Sequence, residues 1–209
     1  CKIMMNLLNL YKTWKQEEPA RVEALAGAGS NRKYYRLFDA GGNTVIGVIG
    51  TSPEENRAFV YLSGFFASQG VSVPEILAVD DSCDCYLQTD LGSLSLYDAL
   101  ANGRKNGGKY DDRERELLKR TIKELPKLQY CARNELDFSL CYPLPEMNRE
   151  AVMFDLNYFK YCFLKPSGVE FHEMRLEEDF YRLSDDLLDE SSQTFLYRDF
   201  QARNVMLHP

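Results

Sequence analysis

The sequence predicts an α+β fold of two unlike lobes, a small antiparallel sheet with helices against it followed by a helical body. Three observations carry that expectation. β-prone runs and hairpin turns crowd the first ninety or so residues. From "DLGSLSLYDAL" onward the apolar spacing becomes helical. Near the C-terminus, "TFLYRDFQARNVMLHP" interrupts two apolar runs with a polar loop that carries Asp199 and Asn204.

The opening "CKIMMNLLNLYKTWKQEE" has a short apolar patch without a small-residue cleavage site behind it, so it reads as a helix and not as a signal peptide. "KYYRLF" and "TVIGVIG" are strand-like, and the "DAGGN" between them supplies glycines for a hairpin turn. "SPEENRAFVYLSGFFASQG" reads as a helix, with Ser52 as N-cap, Pro53 at the first helical position, Glu55 three residues after the cap and Gly70 closing it. Glu55, Phe59, Leu62 and Phe66 share one face of that helix. "VSVPEILAVD" and "CYLQTDLG" form a second pair of strands around a "DDSCD" turn. "DDRERELLKRTIKELPKLQYCA", "NREAVMFDLNYFKYCFLK" and "EMRLEEDFYRLSDDLLDES" are helical in period, while "TFLY" and "VML" read as short strands flanking the polar loop. The expected organisation is a strand-rich lobe over 1–88, a connector at 89–92 and a helical lobe over 93–209.

Composition bounds the function. The chain has 209 residues, 44% hydrophobic and 27% charged, the balance of an ordinary globular protein. No run reaches the ~18 apolar residues that suggest a bilayer span, so no membrane partner is expected. A net charge of −7 argues against a general nucleic-acid binder, which needs an excess of Lys and Arg, but leaves room for a local cationic site holding a small anion. The six cysteines contain no C-x-x-C pair, and the "CDC" at Cys83 and Cys85 reads as hairpin residues, since a zinc signature needs a second matched pair. Scattered thiols fit a reducing, cytoplasmic setting.

The loop is the most informative segment. "RDFQARN" fits the R-D-x-x-x-x-N pattern of kinase catalytic loops. Phosphoryl transfer needs a carboxylate to accept the proton of the attacking hydroxyl and an oxygen ligand to help hold Mg²⁺ against the phosphates, and this spacing offers both. The same pair also occurs in plain turns, where Asp and Asn bond the local backbone.

Taken in order, "GSNRKYYRL", "SPEENRAFVYLSGFFASQGVSVPEILAVD", "YLQTDLGSLSLYDAL", "FDLNYFKYCFL" and "YRDFQARNVML" resemble the aminoglycoside-phosphotransferase-like kinase family, and within it the branch that phosphorylates N-acetylmuramate and N-acetylglucosamine at the anomeric hydroxyl. The resemblance implies a bilobal protein-kinase-like fold, use of ATP and Mg²⁺, and a small-molecule acceptor. It also implies roles for residues. Ser30, Asn31 and Arg32 cover the nucleotide phosphates. Glu55 is the helix carboxylate facing the cleft, a role that can coexist with capping. Gln88, Thr89, Asp90 and Leu91 form the hinge meeting the adenine edge. Asp199 is the base in a catalytic loop spanning 198–204, and Asn204 is a magnesium ligand. Asp155, Tyr158 and Arg203 are candidates for the acceptor, Arg203 being suited to an acid group on the sugar.

Three departures accompany the resemblance. Tyr197 stands where many kinases have His. "TVIGVIG" lacks the lysine that the third strand of most kinases supplies, which leaves Arg32, Lys33 or Mg²⁺ to neutralise the phosphates. The sequence also stops before the acidic metal-ligand segment that follows the loop in the family, so a fragment of a longer chain is expected. Two alternatives stay open: a kinase of another small alcohol (an aminoglycoside, choline or homoserine), and a catalytically impaired pseudokinase serving as a nucleotide-binding module.

Overall fold

The structure is a computed structural model that describes residues 2–26, 31–133, 135–189 and 193–208. It is α+β, with a five-stranded antiparallel sheet in the order β1-β2-β3-β5-β4. The strands are β1 (Arg21–Leu25), β2 (Lys33–Phe38), β3 (Thr44–Ile49), β4 (Ile76–Val79) and β5 (Cys85–Thr89). Helix α1 (Lys2–Lys15) precedes the sheet, and α2 (Pro53–Ser68) joins β3 to β4. After the sheet come α3 (Leu96–Ala99), α4 (Ala101–Lys105), α5 (Asp112–Cys131), α6 (Arg149–Phe159) and α7 (Glu173–Leu188).

Strand alternation gives the sheet two apolar faces. Leu37, Ile49, Cys85 and Leu87 pack on Leu7 and Tyr11 of α1. Burial of each such leucine contributes roughly 2 kcal/mol. Gly47 lies between these residues because a Cβ there would sit 2.9 Å from the Leu7 methyls; the glycine in "TVIGVIG" seats α1. On the other face, Ile46, Val48 and Tyr86 meet Phe59 and Val60 of α2. The Cys85 thiol is fully buried and its pKa is pushed up to about 12, chiefly by that burial, so it serves packing.

Local signals explain the elements. In α2, Ser52 Oγ accepts the Glu55 N–H at 3.3 Å. In α5, Asp111 and Glu114 form a reciprocal capping box. Asn56, fully buried on α2, donates from Nδ2 to the Cys83 carbonyl at 2.7 Å and so ties the helix to the β4–β5 turn.

The chain divides into two compact units, one comprising Cys1–Leu136 with Tyr197–Pro209 and the other Asp137–Leu196. The second unit contains α6 and α7, with Val152, Phe180 and Ser184 buried. Its Lys160 and Lys165 both pair with Glu173, at 2.6 and 2.8 Å. A π-helical turn at Lys160–Leu164 extends α6 and carries Lys160 into that triad.

Two sequence expectations are corrected. β1 is a strand that the sequence reading does not include: at the sheet edge it exposes Val22 and Ala24 and half-buries Glu23, so its burial runs against its apolar pattern. "TFLY" and "VML" do not form paired strands around the loop. Val205–Leu207 instead docks on Leu94–Leu96, with Leu96 N–H donating to Val205 O at 2.8 Å and Leu207 N–H donating to Leu94 O at 2.9 Å. The backbone of "VML" is satisfied by the start of α3, which leaves "TFLY" without a ladder among the described residues.

Candidate active site

Cap geometry starts the site. Ser52 and Pro53 fix the first turn of α2 and place Glu55 there, and its Oε1 lies 3.0 Å from Arg32 Nη2. The guanidinium is mostly enclosed, with 14% of the Arg32 side chain exposed. It lies 5.0 Å from the centre of the Phe59 ring, which stacks in turn on Tyr86 at 5.3 Å. The Tyr86 hydroxyl is buried without a hydrogen-bond partner among the described residues. Burial raises its pKa, the Arg32 charge opposes that rise, and Tyr34 and Glu55 add to it. Arg32 therefore rests on an aromatic platform between a carboxylate and a buried hydroxyl. On β3, the positions facing this platform are Ile46 and Val48, both buried, so the strand offers packing here and no cation.

Of the neighbouring expected residues, Ser30 lies outside the described residues, and Asn31 is exposed just before β2. Gln88 pairs with Ile46 and Ile76 in the sheet, and its Oε1 is buried without a partner among the described residues. Thr89 is bonded to Glu75 at both its N–H and its hydroxyl, each at 3.0 Å. Leu91 is half-buried.

Asp90 is occupied by Arg36, a residue that sequence reasoning missed. Arg36 donates from Nε to Asp90 Oδ2 at 2.6 Å and from Nη2 to Oδ1 at 3.1 Å, and it also reaches Gly92 O and Ser93 Oγ. Burial alone would raise the Asp90 carboxyl. The Arg36 hydrogen bond, with the Gly92 N–H and Thr44, outweighs it and holds the pKa below the usual carboxylate value. The fork fixes the segment after β5 to β2. A charged residue in the middle of an otherwise apolar strand was the available signal.

The loop itself is tightly wound. Arg198 adopts a left-handed backbone (φ 64°), uncommon for a residue with a Cβ, and Asp199 follows it exposed. Gln201 N–H donates to Asp199 O at 2.9 Å, and Ala202–Asn204 forms a single 3₁₀ turn. Asn204 Nδ2 then donates to Asp199 O at 3.0 Å. The local backbone bond of an ordinary turn is thus present. It occupies the amide nitrogen and orients the side chain, while Oδ1 is the atom suited to a hard cation. Burial raises the Tyr197 pKa, with the Asp199 charge adding to the rise, so that carboxylate lies within electrostatic reach of the phenol.

An apolar groove of about 420 Å³ runs beside the loop, with Leu96, Leu118, Ile122, Phe200 and Val205 among its walls; neither Asp199 nor Asn204 lines it. Arg203 belongs to the first unit and stacks on Tyr97 of α3, with its Cζ 4.3 Å from the ring centre. Asp155 and Tyr158 lie on α6 of the second unit, where Tyr158 is 65% exposed.

Among the described residues, no group of three or more His, Cys, Asp or Glu is placed to hold a metal, and no helix is long and apolar enough to cross a membrane. An all-protein metal cage is therefore not formed by these residues. The Asn204 Oδ1 does suit Mg²⁺, which binds through few protein ligands and completes its shell with water and phosphate.

No family model matches the chain. A curated protein of Pseudomonas aeruginosa named N-acetylmuramate/N-acetylglucosamine kinase is 27% identical over 199 residues, covering 93% of this chain and 54% of that protein. The chain spans about half the length of the curated relative it matches. Identity at this level supports a kinase-like relationship.

Proposed function

We propose that this chain carries the nucleotide-binding lobe and catalytic loop of an ATP-dependent small-molecule kinase with a bilobal protein-kinase-like fold, whose acceptor is a hydroxyl of an N-acetyl amino sugar. The reading takes 1–88 as the first lobe, 89–92 as the hinge and assigns 93–209 to the helical second lobe. The observation that carries it is an exposed Asp199 standing five residues before Asn204 within one short turn, the spacing of a kinase catalytic loop. Similarity to the Pseudomonas aeruginosa kinase points to the acceptor class.

In this reading Asp199 accepts the proton of the acceptor hydroxyl as its oxygen attacks the γ-phosphorus, and ADP departs with the electrons of the broken P–O bond. Arg32, held by Glu55, supplies the positive charge that β3 does not. Asn204 Oδ1 is the group that would help hold magnesium, whose contribution when bound would be to neutralise phosphate charge. Backbone groups between Gln88 and Leu91 meet the adenine edge, with Asp90 serving through its bond to Arg36. A cytoplasmic setting fits the use of ATP.

The test is a coupled ADP-release screen of the full-length protein against amino sugars, an aminoglycoside, choline and homoserine. Turnover confined to amino sugars is expected. Turnover confined to the other alcohols would replace the acceptor class, and ATP binding without any turnover would favour the pseudokinase alternative.

A further inference from the structure

Beside the catalytic-type loop, two guanidinium groups share one aromatic ring. Arg104 Cζ lies 3.3 Å from the centre of the Tyr97 ring and Arg203 Cζ lies 4.3 Å from it. Both guanidinium groups therefore lie within cation–π reach of one ring. Arg104 is fixed further by Nη2 donating to Tyr97 O at 2.9 Å, and its Nε is shielded from solvent without an acceptor. Neither arginine has a carboxylate partner among the described residues, although the chain carries 32 acidic side chains against 25 basic ones. Like charges gathered without a counter-charge, and oriented in advance by an aromatic ring, make an anion site.

We propose that Arg104 and Arg203 form a carboxylate-binding pair that favours acceptors bearing an acid group on the sugar. This deepens the proposed function and rests on it. Arg203 stands four residues after Asp199, on the loop that must meet the acceptor hydroxyl, and the Leu94–Leu96 pairing with Val205–Leu207 fixes Tyr97 to that loop. Guanidinium forks match a carboxylate with paired hydrogen bonds, which a single ammonium does not. Arg104 is the residue added here to the acceptor site, since the loop sequence points only to Arg203.

The experiment is isothermal titration of the full-length protein with N-acetylmuramate, which carries a lactyl carboxylate, and N-acetylglucosamine, which lacks it, with turnover of both measured in parallel. Arg104→Gln and the exposed Arg203→Gln are compared with wild type, and Arg104→Lys tests the fork. Wild type is expected to bind the acidic sugar about tenfold or more tightly than the neutral one, each Gln variant to bring that ratio near one, and the Lys variant to restore it in part. A ratio near one in wild type, or one that survives both Gln substitutions, overturns the pair. So does a raised KM for ATP with the ratio unchanged, which would assign the cations to nucleotide phosphate. A preference that behaves as expected in a protein without turnover upholds the pair and removes the kinase reading.

Discussion

Arg32 and Glu55 form an ion pair, Nη2 to Oε1 at 3.0 Å, that joins the start of β2 to the first turn of α2. The pair supplies a helix-held cation on a sheet whose β3 presents the apolar Ile46 and Val48 to that side. Glu55 is partly exposed, so the ion pair adds little to stability, and its value lies in aiming the guanidinium.

Replacing Arg32 with alanine is expected to raise the KM for ATP by about tenfold or more, as befits loss of a charge-assisted contact to phosphate. Glu55→Gln is expected to act in the same direction and more weakly, because it loosens the cation without removing it. Unchanged KM and kcat in Arg32→Ala would dismiss Arg32 from the phosphates.

The Arg36–Asp90 fork is nearly enclosed, with side chains 15% and 7% exposed. Arg36→Met is expected to destabilise the protein by about 3 kcal/mol in urea denaturation, because it leaves the Asp90 carboxylate buried and unpaired. A loss within ~0.5 kcal/mol would mark the pair as surface-like.

Asp39 closes the β2–β3 turn. It accepts from Asn43 N–H at 2.8 Å and Asn43 Nδ2 at 2.9 Å, and Lys15 Nζ at the end of α1 lies 3.2 Å away. The Asn43 side chain, opposed by burial and helped by the Asn43 N–H and Lys15, lowers its pKa from 3.8 to about 2. A depressed folded-state pKa means the unfolded chain takes up the proton first. The stabilisation is therefore present above pH 3.8 and is lost as the pH falls toward about 2. Asp39→Asn is expected to flatten the decline of thermal stability across that window. An acid limb identical to wild type would contradict the assignment.

Asn56 spans from α2 to the β4–β5 turn, and a Cβ at Gly50 would lie 2.2 Å from its Oδ1. Asn56→Ala leaves the Cys83 carbonyl without its Nδ2 donor and is expected to cost ~1 kcal/mol. Gly50→Ala is expected to destabilise through the clash, and the double variant less than the sum of the two, since the alanine at 56 makes room. Strict additivity by denaturant titration would show the two positions to be independent.

Periodicity and caps made much of this fold legible. Ser52, Pro53 and Gly70 bracket α2, alternation marks β2 and β3, and the "DDSCD" turn marks the β4–β5 hairpin. What stayed hidden depends on contacts distant in sequence. β1 is an edge strand whose burial runs against its apolar pattern, and one flank of the loop, Val205–Leu207, pairs with the start of α3, a partner no local window contains. At the candidate site, the Asp199–Asn204 spacing and the cap that precedes Glu55 stand out in the sequence, and the roles given to them belong to the proposal. Arg36, Tyr97, Arg104 and Tyr86 do not stand out, because a charge inside a strand or an aromatic on a short helix gains meaning only once its partner is placed.

The central claim is that Asp199 is the proton acceptor of a phosphoryl transfer. Its most direct test is kcat for the full-length protein on its best amino-sugar acceptor, with Asp199→Asn beside wild type. Removing the carboxylate while keeping its size is predicted to lower kcat by about 10²–10⁴-fold with the KM for ATP little changed. A variant turning over within about twofold of wild type would contradict the assignment.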